Sequence, residues 1–173
     1  MEDYSIKEWF ERYEKDVTSF LVYYTSSTDV EDLVQDTFLH AIKSLSKFKG
    51  NSSPKTWLIS IARNIVTDRY RKKHLWERIK KALIPEQSYD KTTEMMAIKK
   101  WENHSIHHAI QQLAPQYREV VILRGILELS PDETSIVLNC NKNNVNVMYH
   151  RSLKKLKMIL EKEGFCYEGY RRH

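Results

Sequence analysis

The chain has 173 residues, 41% of them hydrophobic, with only four glycines, four prolines and a net charge of +5. It is long enough to bury a core, yet no apolar run approaches the roughly 20 residues of a membrane span. The acidic N-terminus lacks the apolar stretch of a secretory signal, and Cys140 and Cys166 have neither metal spacing nor a disulfide framework. A chain working in the reducing cytoplasm is expected.

Charge is distributed unevenly. Residues 2–36 carry ten acids against three bases, whereas residues 43–81 carry twelve bases against two acids. Residues 130–173 are basic again, with eight bases and five acids. An acidic front and two basic zones predict one protein-facing surface and two polyanion-facing surfaces. Apolar residues recur at helical spacing, which predicts an all-α chain.

Ile6, Trp9, Phe10, Tyr13, Val17, Phe20, Leu21 and Tyr24 fall at three- and four-residue steps, the stripe of a first amphipathic helix. Thr28 reads as an N-cap, with Glu31 completing a capping box. Val30, Leu33, Val34, Thr37, Phe38, Ala41, Ile42 and Leu45 form the buried stripe of a second helix. Its other face carries Asp29, Asp32, Gln35 and Asp36. Acids in a first turn suit the positive helix end; Asp36, two turns in, needs another reason.

The stretch FKGNSSPKTWLISIARN follows. Its loop is basic, flexible in composition and rich in small hydrogen-bonding residues. Ser53 can cap the next helix and Pro54 can take its first position. Trp57, Leu58, Ile61, Ala62, Ile65 and Val66 then face a core, opposite Arg63, Asn64, Thr67, Asp68 and Arg71. The helix is expected to end in RYRKKH. Residues 76–102 lose periodicity around Pro85 and read as a linker.

A second helical unit opens with Ile106, Ile110 and Leu113, breaks at Pro115, and resumes with Tyr117, Val120, Val121 and Leu123. Ser130, Pro131 and Glu133 then give an N-cap, a first-turn proline and a capping-box partner. A short helix to Leu138 meets a turn at Asn139, Cys140 and Asn141, where asparagine tolerates a left-handed conformation. A longer helix from Lys142 buries Val145, Tyr149, Leu153 and Leu156. It exposes Asn143, Asn144, Asn146, His150, Arg151, Lys154 and Lys155. Short helix, tight turn and long polar-fronted helix make a helix-turn-helix, with asparagines suited to base edges and cations to phosphates. An ordinary αα-hairpin with a solvated face is the alternative. His104, His107 and His108 at i, i+3 and i+4 could gather a metal ion, but no fourth ligand lies nearby. No phosphate-cradling glycine loop accompanies Asp29, Asp32 and Asp36. Neither a metal nor another cofactor is expected, and no catalytic residue is assigned.

These segments together resemble the extracytoplasmic-function sigma factors, the small alternative promoter-specificity subunits of bacterial RNA polymerase. DVEDLVQDTFLHAIKSL is similar to region 2.2, FKGNSSPKTWLISIARNIVTDRYRKK to regions 2.3 and 2.4, and the helix-turn-helix to region 4.2. The resemblance implies two small helical domains: region 2 over residues 1–75 and region 4 over residues 103–163. A linker at 76–102 joins them, and a tail follows at 164–173.

The resemblance also implies roles. Asp29, Asp32, Gln35 and Asp36 would meet the β′ coiled coil of core RNA polymerase, with the β flap as a further contact. Lys49, Asn51, Ser52, Ser53, Lys55, Arg63, Asn64, Asp68, Arg71, Lys72 and Lys73 would open and read the −10 element. In this family the loop holds a nucleotide extruded from the melted strand. Asn51, Ser52 and Ser53 would read its edges, with Lys49 and Lys55 near phosphates. Lys142, Asn143, Asn144, Asn146, Val147, His150, Arg151, Lys154 and Lys155 would serve the −35 element.

The family's common T-V-K-S-R core reads Asn144-Val145-Asn146-Val147-Met148 here, without its two bases and two hydroxyls. An anti-sigma factor is the expected regulatory partner. A free-standing helix-turn-helix regulator, with N-terminal helices for dimerisation or sensing, is the alternative function. A metal-dependent enzyme built on the acidic or histidine cluster is more distant.

Overall fold

The computed structural model describes residues 6–83 and 101–164, which fold into seven α-helices. These are α1 (Ile6–Thr25), α2 (Glu31–Ser44), α3 (Pro54–Leu83), α4 (Trp101–Gln111), α5 (Pro115–Val121), α6 (Pro131–Leu138) and α7 (Lys142–Lys162). A 3₁₀ turn, Leu45–Lys47, follows α2, and a π-helical turn, Ile122–Ile126, follows α5. All of the expected tail but Gly164, and most of the expected linker, lie outside the described residues, Cys166 among them.

Helices α1, α2 and α3 pack on one another around Val17, Phe20, Leu21, Val34, Phe38, Leu58, Ala62 and Val66. These positions recur every three or four residues, so each helix turns one continuous stripe inward. Helices α5, α6 and α7 form the second unit, with α4 across α7. The two units do not stand apart. Helix α6 packs against α3, the π-turn packs against α1, and one apolar core runs from Trp9 to Val137.

Several local expectations are corrected. Thr28 does not cap α2: the N-cap is Val30, without a side-chain cap, and Glu31 is the first helical residue. Val30 is buried, while the Ser27 hydroxyl accepts from the Asp29 N–H at 3.1 Å, so the turn is closed one step earlier. Ile42 and Leu153, expected in the core, are exposed. Each lies about 100° around its helix from a buried neighbour, Ala41 or Ser152, which puts it beyond the edge of the covered stripe. Phe10 touches Phe38 edge-on, with ring centroids 4.8 Å apart, but is otherwise solvated. Conversely, Ile59 is fully buried although it lies off the predicted stripe, because α6 covers a second side of α3.

Helix α3 also overruns its expected end by about two turns, through the proposed boundary at residue 75 to Leu83. No glycine or proline interrupts the sequence between Pro54 and Pro85, so nothing in the backbone stops it earlier. Its last turns leave Leu75, Trp76 and Leu83 exposed.

Candidate nucleic-acid interface

The helix-turn-helix is built as its residue types require. The Ser130 hydroxyl accepts from the Glu133 N–H at 3.1 Å, and the Glu133 carboxylate accepts from the Ser130 N–H at 2.9 Å. Both donors would otherwise be orphaned at the start of α6. Asn139 takes the left-handed conformation, φ +51°, that ends the helix. Asn141 then caps α7 by accepting from the Asn144 N–H at 2.8 Å. Val145 and Ser152 anchor α7 in the core.

This anchoring leaves Asn143, Asn144, Asn146, Val147, His150, Arg151 and Lys154 exposed. Two of the expected phosphate lysines are engaged within the fold. Lys142 pairs with Asp132 at 2.7 Å, and Lys155 lies over the Tyr117 ring, 5.4 Å from its centroid. Both sites are exposed, so either lysine can swing away at small cost.

Aromatic packing fixes the loop before α3. Phe48 sits 5.1 Å from the Trp9 ring and 5.0 Å from Trp57, and Trp57 sits 5.9 Å from Trp9. The chain then turns at Gly50, whose φ of +69° favours glycine. Lys49 and Asn51 stand in solvent and Ser52 is half-buried. Ser53 caps α3 as expected, its hydroxyl accepting from the Thr56 N–H at 3.2 Å.

The other expected −10 residues divide into two sets. Asn64, Asp68, Arg71, Lys72 and Lys73 are exposed along α3. Asn64, Asp68 and Lys72 share a shallow groove of about 400 Å³ with His40, Ser44 and Arg69. Ser53, Lys55 and Arg63 instead face the second unit. The Ser53 and Thr56 hydroxyls donate to one Glu133 oxygen at 3.1 and 3.0 Å. Lys55 pairs with Asp16 at 2.8 Å and donates to the Leu127 carbonyl at 3.1 Å. Arg63 pairs at 2.9 Å with the nearly buried Glu119. Beside this pair, burial pushes the Tyr24 phenol above its usual value.

Sequence reasoning missed Thr56, Glu119 and the outward role of Glu133. The Ser53-x-x-Thr56 spacing was a signal for Thr56, since both residues fall at the start of one helix. Nothing local marks a contact across 80 positions.

Burial would push the Glu133 carboxyl up. Hydrogen bonds from the Ser130 backbone and hydroxyl, Thr56 and Ser53 outweigh it and hold the group below its usual value. A depressed carboxylate stabilises the fold above its unfolded pKa, and that contribution disappears as pH falls through the folded value. The stability difference between wild type and Glu133→Gln is therefore expected to be largest near neutrality and to shrink below about pH 4. Thermal melts from pH 7 to pH 3 check this; a difference independent of pH would contradict it.

Asp29 just before α2, and Asp32 and Gln35 on it, are exposed, and Asp36 is half-exposed beside Arg69, with which it forms an ion pair. Of the histidines, His107 and His108 point to different neighbours. His107 packs on the Tyr23 ring, whereas His108 pairs with Glu163 of the segment after α7 at 2.9 Å. The side chain of His104 lies outside the described residues. Among the described residues no helix is long and apolar enough to cross a membrane.

Comparison with known proteins agrees with this layout. Sigma-70 region 2 matches residues 9–75 and Sigma-70, region 4 matches residues 103–156. The ECF RNA polymerase sigma factor SigX of Bacillus subtilis is 30% identical over 161 residues, 88% of this chain and 81% of the relative. RNA polymerase sigma factor YlaC of the same organism is 29% identical, over 91% of this chain and 93% of the relative. In fold, the chain resembles the sigma factor RpoE in its complex with the anti-sigma factor NepR from Bartonella quintana. That match has a TM-score of 0.73 at 22% identity, over 90% of this chain and 96% of the other. CnrH, solved with the cytosolic domain of CnrY, has a TM-score of 0.67 at 23% identity, over 91% and 88% of the two chains. With both sigma segments in order across it, the chain belongs to the extracytoplasmic-function sigma factors, which bind core RNA polymerase and direct it to promoters.

Proposed function

We propose a division of labour for the individual residues of this sigma factor. Asp29, Asp32, Gln35 and Asp36 dock on the β′ coiled coil of core polymerase, and the second unit meets the β flap. Lys49, Asn51, Ser52, Ser53 and Lys55 hold a base extruded from the melted −10 strand. Arg63, Asn64, Asp68, Arg71, Lys72 and Lys73 guide that strand along α3. Asn143, Asn144, Asn146, Val147, His150 and Arg151 read the −35 major groove, with Lys142, Lys154 and Lys155 toward phosphates. The protein has no catalytic activity or cofactor of its own, works in the cytoplasm and is held in check by an anti-sigma factor. As domain limits we propose region 2 to residue 75, a connecting segment to 102 and region 4 over 103–163.

The observation that carries this reading is the exposed polar front of α7, capped by Asn141 and anchored by Val145, in a helix-turn-helix. A helix so mounted can enter a major groove with its first turns against base edges. Purified chain added to core polymerase should give start-site-specific transcripts from a subset of genomic promoters. Duplex binding with no effect on polymerase would point instead to a free-standing regulator. Within the active complex, Arg151→Ala is expected to cost about 1–3 kcal/mol and relax preference at one −35 position. Unchanged affinity and unchanged preference would reject the proposed docking.

A further inference from the structure

An open cleft of about 580 Å³ lies where the end of α1, the second half of α3 and the start of α5 meet. That is within the range of small-ligand sites, about 300–1,000 Å³, and more than a single phosphate needs. Arg71 and Arg78 line it from α3 and Arg118 lines it from α5. No carboxylate lines it, although the chain carries 23 acids. Tyr24, Tyr70 and Leu75 supply aromatic and apolar wall.

The cations differ in how firmly they are placed. The Arg118 Nη2 donates to the Gln111 carbonyl at 2.6 Å and to the Leu113 carbonyl at 3.2 Å, so this guanidinium is fixed before any ligand arrives. Its Nε is buried without a hydrogen-bond partner among the described residues, which leaves donor capacity unused. Arg71 reaches Asp68 only at 3.4 Å, with both side chains mostly in solvent. The Tyr24 and Tyr70 rings meet edge-on, with centroids 5.9 Å apart. Burial raises the Tyr24 phenol, which keeps it neutral beside the arginines and leaves their field undiminished.

We propose that this cleft binds a free nucleoside phosphate, with its phosphates on the Arg78 and Arg118 guanidinia and its base against Tyr70. Guanidinium groups match phosphate oxygens in charge and in fork geometry, and a tyrosine ring stacks with any base. A bare anion would leave the aromatic wall in water, and an uncharged ring would leave the arginines without a counter-charge. Three helices line the cleft, which suits a compact ligand better than a strand that must run on. The site goes beyond the promoter reading above and shares only Arg71 with the proposed strand guide.

Calorimetric titration of the full chain with each of the four common ribonucleoside triphosphates tests this. At least one should bind at a single site. Adenosine and tripolyphosphate should each bind about tenfold more weakly or worse, since each lacks half of the contacts. Arg78→Glu and Tyr70→Leu change exposed side chains, so the fold should hold, and each should weaken the triphosphate about tenfold. Arg78→Gln is the milder substitute if the charge reversal folds poorly. Lys80→Glu makes the same charge change about 160° around α3 from Arg78 and should alter affinity less than about twofold in physiological salt. No saturable binding of any triphosphate would overturn the site. So would tripolyphosphate binding as tightly as the nucleotide, or an equal loss in Lys80→Glu, since either marks a plain basic surface. A single-stranded DNA 12-mer that displaces the nucleotide and depends equally on Tyr70 would assign the cleft to the strand path and overturn the free-nucleotide site. None of these measurements needs polymerase or a promoter, so their failure leaves the promoter reading standing.

Discussion

Reversing two charges on α2, Asp32→Lys with Asp36→Lys, is expected to weaken binding to core polymerase about a hundredfold or more, some 3 kcal/mol. The loss should come without a matching loss of fold. Asp32 is exposed, and the Asp36–Arg69 pair is about half in solvent, where an ion pair contributes at most about 1 kcal/mol. Beneath them the stripe of Leu33, Val34, Thr37 and Phe38 is untouched. Circular dichroism should therefore be superimposable and melting lower by only a few degrees. Arg69→Ala is the control, since it breaks the same pair while leaving the acidic strip in place. Titration of labelled core polymerase separates the cases: affinity equal to wild type in the double variant would mean that α2 faces something else.

Trp57→Ala is expected to act on both stability and promoter opening. Trp57 packs with Trp9 and Phe48 in the aromatic cluster that holds the loop entrance. Truncating a packed tryptophan costs about 3 kcal/mol. That corresponds to a fall of about 10 °C in melting temperature for a chain of this size. At temperatures where the variant is still folded, Phe48 loses its contact with the Trp57 ring and the rim of the loop loosens. Transcription from a duplex promoter should fall more than transcription from a template with a pre-melted −10 bubble. Trp57→Phe, which keeps an aromatic face, should recover most of both losses. Equal transcription from duplex by Trp57→Ala and wild type below their melting points would separate the cluster from loop function.

The parts legible in the sequence were those governed by neighbours in the chain. Ser130, Pro131 and Glu133 announced the start of α6, and Asn139 its left-handed end, because caps and turns are made within a few residues. The stripe Val17, Phe20 and Leu21 was visible because a helix repeats every 3.6 residues. Thr28 failed because a capping motif states only what a helix start can use; the burial of Val30 decided otherwise. Ile42 and Leu153 failed because periodicity gives the centre of a stripe but not its width. Ile59 and the partners of Ser53, Lys55 and Arg63 were invisible for a different reason. They depend on the docking of α6 on α3, a contact between units that share no local signal.

The shared core has a thermal consequence. Leu127, Leu129 and Val137 of the second unit lie in the same buried cluster as Leu58, Ile59 and Val17 of the first. Parting the units would wet that apolar surface and so raise the heat capacity. Apolar association is weaker in the cold. Any parting of the units is therefore expected to be curved in temperature rather than governed by one fixed enthalpy, and to be favoured by cooling.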